Sequence, residues 1–141
     1  MALVAFCPTL DEVNPLAASI QLSSQHLVIS APTEPSQWVP HVAASLAKTA
    51  QPLILVFYGE TSIHAPAIGF SRRSLRRPAI SYVLVDPAMP KIGGEYGDWP
   101  DAPVTVLISE DPPEFAREAA MQSRLRGWEI SNKSLQEVLS T

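Results

Sequence analysis

The 141-residue chain has a single cysteine, which excludes an intrachain disulfide and a cysteine-built metal site. Cys7 closes the strand-like run Leu3-Val4-Ala5-Phe6 with no base or cation beside it in sequence, so a buried, inert thiol is expected. Cations are scarce as well. Ten Lys and Arg face fourteen Asp and Glu, for a net charge of −4, and a nucleic-acid partner is not expected because phosphate binding relies on clustered cations. The one basic run, Arg72-Arg73-Ser74-Leu75-Arg76-Arg77, reads as a solvated helix end or as a contact for an acidic partner. No apolar run approaches the roughly 20 residues needed to span a bilayer. The first residues also lack a basic segment followed by a long apolar stretch. A cytoplasmic protein with no membrane partner is therefore expected. Histidine pairs at ligand spacing are missing too, so neither a metal nor a cofactor is expected. Gly93-Gly94 and Gly97 do not form a dinucleotide-binding turn and lead into no helix, so they read as loop hinges.

What is present is a hydrophobic fraction of 46% against 17% charged residues, the balance of a globular chain, and a length suited to one domain over residues 1–141. Short apolar runs alternate with helix-compatible stretches. Strands are expected at 2–6, 26–30, 53–58, 80–85, 104–108 and 128–130, each stopped by proline, glycine or a polar turn. Leu53-Ile54-Leu55-Val56-Phe57-Tyr58 is apolar without alternation, which suits a central strand covered on both faces. Helices are expected near 37–49 with Ser36 as N-cap, 63–75, 113–126 and 134–139, and residues 88–102 read as a loop. The fold class is α/β: a three-layer αβα sandwich around a mostly parallel sheet of about six strands. In such sheets ligands bind beyond the carboxyl ends of the strands, so the residues there matter most.

Several of those residues carry chemistry. Glu60, Asp86, Glu110 and Asp111 follow strands, and crowded carboxylates suit proton transfer. The same residues could instead cap the helices that follow, and Asp111 before Pro112-Pro113-Glu114 is the natural cap. His64 falls early in the helix after the third strand, where an imidazole could act as acid or base or simply face solvent. Tyr96 and Trp99 in the Gly-rich loop read as contact aromatics. Trp99, beside Pro100, has the alternative of folding back onto the sheet.

The segment from Pro52 through Tyr58-Gly59-Glu60-Thr61-Ser62 to Ile68 resembles the nucleophile elbow of bacterial α/β-hydrolases, a strand running through G-x-S-x-G into a helix. Tyr82-Val83-Leu84-Val85-Asp86-Pro87 is similar to that family's next strand. Pro103 through Asp111 is similar to the strand bearing its catalytic acid, and Arg124 through Ile130 to the approach to its final strand. The resemblance implies a minimal hydrolase-like core without the helical lid, since only a loop separates Asp86 from Val104. It also implies a degenerate triad. Outer glycines are missing from the elbow window, and Glu60 or Gly59 occupies the nucleophile point depending on the alignment. No histidine follows Trp128-Glu129-Ile130. The acid position alone is filled, by Glu110 or Asp111.

For function, the resemblance implies a pseudo-hydrolase in a bacterial biosynthetic or accessory role. It would bind a peptide, small molecule or partner protein through Tyr58, Thr61, Ser62, Tyr96 and Trp99, with a homodimeric or heteromeric partner over the open strand ends. The alternative is a non-hydrolytic enzyme (epimerase, isomerase or cyclase) moving a proton with Glu60, His64, Asp86 or Asp111. A third reading keeps residual hydrolysis at Thr61 or Ser62 with a histidine supplied by a partner.

Overall fold

The computed structural model describes residues 2–21, 26–90 and 99–140. Its sheet has six strands: β1 (Leu3–Phe6), β2 (His26–Val28), β3 (Leu53–Tyr58), β4 (Ser81–Val85), β5 (Val104–Leu107) and β6 (Glu129–Ser131). They lie in the order β2-β1-β3-β4-β5-β6, and every adjacent pair is parallel. Chain order reverses direction at β1, which β2 and β3 flank, so the topological switch lies between β1 and β3.

The period-two alternation of β3 divides the core. Leu53, Leu55 and Phe57 face a cluster built with Trp38, Val42 and Leu46 of helix α1 (Trp38–Ala47) and Ala65 and Ile68 of helix α2 (Ala65–Ser74). Val56, together with Val4, Phe6, Val83, Val85 and Leu107, faces the opposite cluster. Ala17 of a 3-10 turn (Pro15–Ser19) and Leu135 of helix α4 (Leu135–Leu139) close that side. Helices on both faces of one parallel sheet make the three-layer sandwich. Helix α3 (Glu114–Leu125) buries only Ala116, Ala119, Ala120 and Ser123, small side chains that let it lie close beside β6. Among the described residues no helix is long and apolar enough to cross a membrane.

Three expectations are corrected. Ser36 does not cap α1, because Pro35–Gln37 wind into a 3-10 turn that continues directly into the helix and Gln37 takes the cap position. Asp111 does not cap α3. Pro113 is the N-cap, and Asp111 sits fully exposed, 3.7 Å from Arg117. Arg72 is no solvated helix end but one of the largest buried side chains. Its Nη1 donates to the carbonyl of Leu46 at 2.9 Å and its Nε to that of Arg77 at 3.1 Å. Trp99 takes the second of the outcomes left open by its sequence. It is 2% exposed, edge-on to Tyr82 and Trp128, and so close over Gly69 that an added Cβ would meet Trp99 Cδ1 at 2.9 Å. Gly93, Gly94, Tyr96 and Gly97 lie outside the described residues.

Candidate functional site

The chain leaves β1 through Pro8, Thr9 and Leu10 and leaves β3 through a 3-10 turn (Gly59–His64), and the two exits are joined at one atom. The carbonyl oxygen of Pro8 accepts from Trp38 Nε1 at 3.3 Å and from Thr61 Oγ1 at 3.2 Å. Trp38 Nε1 also reaches the Thr9 carbonyl at 3.2 Å, and its ring stacks on His64 with centroids 5.0 Å apart. Backbone groups at strand ends that receive side-chain donors are not left unsatisfied when buried. Here the donors also hold two connections at a fixed separation.

Between those connections lies a cleft of about 450 Å³. Its walls come from the connection after β1 (Thr9, Leu10, Asp11), from Pro35, from Tyr58, Gly59, Glu60 and Thr61 after β3, from Asp86 at the end of β4, and from Pro113 and Phe115 at the start of α3. The volume falls in the range of roughly 300–1,000 Å³ common for small-molecule sites. The position, at the carboxyl edge beside the strand-order switch, is where open α/β sheets bind ligands.

Four of the sequence-derived site residues meet in this cleft: Tyr58, Glu60, Thr61 and Asp86. Asp86 is the most constrained. It is 7% exposed, adopts a left-handed backbone conformation (φ 44°), and accepts from the backbone N–H of Ser109 at 2.8 Å and from the Ser109 hydroxyl at 2.7 Å. Aspartate tolerates that conformation better than most side chains, although it is uncommon for any residue but glycine. Ser109, the second residue past β5, thereby fixes the carboxylate from the neighbouring strand end.

The others lie apart from the cleft walls. Ser62 is fully buried and its Oγ has no hydrogen-bond partner among the described residues. His64 is half-buried against Trp38, and burial lowers its pKa from the ordinary histidine value. Asp111 is in solvent, Glu110 is likewise exposed, and Trp99 is in the core between sheet and α2. Cys7 is buried and desolvation pushes its thiol pKa up, in keeping with its sequence setting. Sequence reasoning missed Leu10, Asp11, Pro35 and Phe115. The signal for them is topological: each lies in or just beyond a connection leaving the carboxyl end of β1, β2 or β5.

The chemistry the turn can perform depends on what its residues present. The left-handed position that follows β3 is Gly59 (φ 69°), which has no side chain to raise over the sheet. Thr61 Oγ1 is within 3.2 Å of two carbonyl oxygens, those of Pro8 and Tyr58, and its proton is directed at backbone acceptors. Among the described residues the histidine that contacts a hydroxyl is His41. Its Nε2 lies 2.8 Å from the carbonyl of Ser30 and 3.3 Å from that residue's Oγ, so the shorter contact is to the backbone. No cluster of three metal-ligating side chains occurs among the described residues.

Comparison of the chain with protein-family models, curated proteins and solved structures finds no match to any of them. The class defined by the coordinates is an α/β fold with a single six-stranded parallel sheet, compatible with an α/β-hydrolase-like core.

Proposed function

We propose that the chain is a catalytically degenerate α/β-hydrolase-like domain whose cleft binds a ligand or partner without hydrolysing it. The observation that carries this reading is Gly59. In a working elbow the residue at the strained strand-to-helix turn supplies the nucleophilic oxygen, and general-base activation requires an imidazole in hydrogen-bond reach. Here that residue is glycine, and neither Thr61 nor Ser62 is bonded to a histidine among the described residues. A biosynthetic or accessory role, with a second copy or another protein over the strand ends, fits the exposure of Leu10 and Val13 after β1 and of Ile63 after β3. A fluorophosphonate probe tests the claim directly. The expected result is no adduct on the intact protein, while fragment binding followed by NMR perturbs the amides around Tyr58, Glu60 and Phe115. A covalent adduct at Thr61 or Ser62, or fragments that map elsewhere, would overturn it.

One observation favours a second reading, a non-hydrolytic acid–base enzyme: the buried carboxylate of Asp86 and the rim carboxylate of Glu60 line one cleft. That pair could move a proton on a bound substrate without a nucleophile. His64, stacked on Trp38 and away from the cleft walls, is a weaker member of that set than its sequence position suggested.

A further inference from the structure

The cleft contains a buried negative charge with no matching cation among the described residues, and we infer that it takes a ligand bearing a cationic nitrogen, an organic ammonium with an apolar body. The inference rests on the binding reading above and names the ligand class for the same cleft.

Asp86 carries the argument. Buried charges are ordinarily paired, because an isolated one is costly to desolvate. Asp86 is more than nine-tenths buried, yet its hydrogen-bond partners are the two neutral donors of Ser109. The ion pairs among the described residues, Arg73 with Asp101 and Arg117 with Asp111, leave it out. A carboxylate offers about four lone-pair positions, and Ser109 uses two. The remaining acceptor capacity belongs to a side chain that lines the cleft.

The rest of the lining agrees in sign. Asp11 and Glu60 also contribute, and among the described residues no Lys, Arg or His does. Two features could have favoured an anion instead, the starts of α3 and of the Gly59–His64 turn, whose N–H groups carry positive partial charge. Each of these has an acidic residue in its own first turn, Glu114 and Glu60, so the chain supplies the negative charge itself. The uncharged walls include the rings of Tyr58 and Phe115 beside Leu10. Aromatic faces attract cations and accept apolar bodies equally well.

The test uses the full chain and three probes of one shape: phenethylamine, phenethyl alcohol and hydrocinnamate, titrated near neutral pH by calorimetry or ligand-observed NMR. The ammonium is expected to bind at least about tenfold more tightly than the alcohol, with the carboxylate weakest. In Asp86→Asn that preference is expected to fall to within about threefold, with the alcohol's affinity unchanged. Asparagine can accept from the Ser109 N–H, donate to its hydroxyl and tolerate the left-handed backbone, so the fold is retained. Glu60→Gln, at the exposed rim, provides a second variant that leaves the buried core untouched and is expected to weaken the amine in a salt-sensitive way. Equal binding of amine and alcohol by the wild type sinks the charge inference and leaves the binding reading standing. So does a carboxylate that binds best, or an amine preference that survives in both variants. Failure of all three probes to bind also sinks the charge inference, and the fragment mapping described above then decides the binding reading.

Discussion

At the residue scale, Gly69 shows how tightly the first core layer is packed. It sits in α2 where the Tyr82 hydroxyl and the Trp99 ring converge, and an added methyl would collide with both. Trp99 and Tyr82 are each almost wholly buried, and Tyr82 also donates to Asp101 Oδ1 at 2.6 Å, so neither ring is free to yield. Gly69→Ala is therefore expected to destabilise the protein by about 1–3 kcal/mol despite the better helix propensity of alanine, as read by chemical denaturation. An unchanged denaturation midpoint would mean that the rings can move. His64 makes a second residue-scale prediction. Burial depresses its pKa in the folded state, so the unfolded chain binds the proton more readily, and stability rises with pH across that window. The contribution is present above the unfolded value of about 6.5 and is lost as pH falls through the folded one. Thermal midpoints measured on either side of that range should drop toward acid, and His64→Phe, which keeps the ring against Trp38, should drop less. A parallel pH profile in the two proteins would exclude the imidazole as the cause.

Elements were legible in the sequence where one local rule decided them, and less so where tertiary contacts did. The strands follow from apolar runs ended by proline, glycine or a polar turn, and β3 is found at the expected residues, Leu53–Tyr58. Helix starts were harder. Ser36 and Asp111 have capping chemistry, but the prolines beside them shift the first turns, and neither side chain accepts a capping bond. Ser134 shows the opposite case, a full capping box with Glu137 that begins α4 as expected. The burial of Arg72 is hidden in the sequence because a basic run has the composition of solvent-facing surface. A finer signal is present: Ala65, Ile68, Gly69 and Arg72 share one 3.6-period face of α2, and all four are buried.

At that place Arg72 joins two elements, because its guanidinium meets the last turn of α1 at Leu46 and the segment after α2 at Arg77. A cation near a helix C-terminus also opposes the negative end of its dipole. Arg72→Met keeps the stem and removes the donors, and a loss of about 2 kcal/mol is expected. Hydrogen exchange should report it as faster exchange at the end of α1 and around Arg77. Acceleration spread evenly over the sheet would argue against a local tie.

On the scale of the whole molecule, both core clusters share β1, β3, β4 and β5 as their common wall, so neither layer has a core of its own to retain once the sheet separates. Unfolding is expected to be a single transition, coincident by tryptophan fluorescence and far-ultraviolet circular dichroism. Trp38, Trp99 and Trp128 all report on one face, which makes a fluorescence change that precedes loss of secondary structure the outcome that would separate the layers. The site was legible at this scale through the general rule for parallel sheets, which directs attention to the strand exits. The rule could not say which side chains would turn inward there. Asp86 does so through an uncommon backbone angle and a serine on the next strand exit, and Ser62, one residue beyond Thr61, is buried.

The shared acceptor at Pro8 has a consequence for how the cleft would receive a ligand. With Trp38 and Thr61 both anchored on that carbonyl, the gap between the first and third strand exits is set before anything enters. Little ordering entropy remains to be lost in that part of the wall on association, so affinity there should depend on fit and charge rather than on loop closure. Removing the Thr61 hydroxyl as Thr61→Val would loosen that spacing without touching the acidic lining, and a ligand of the proposed kind is then expected to dissociate faster in stopped-flow while associating at much the same rate.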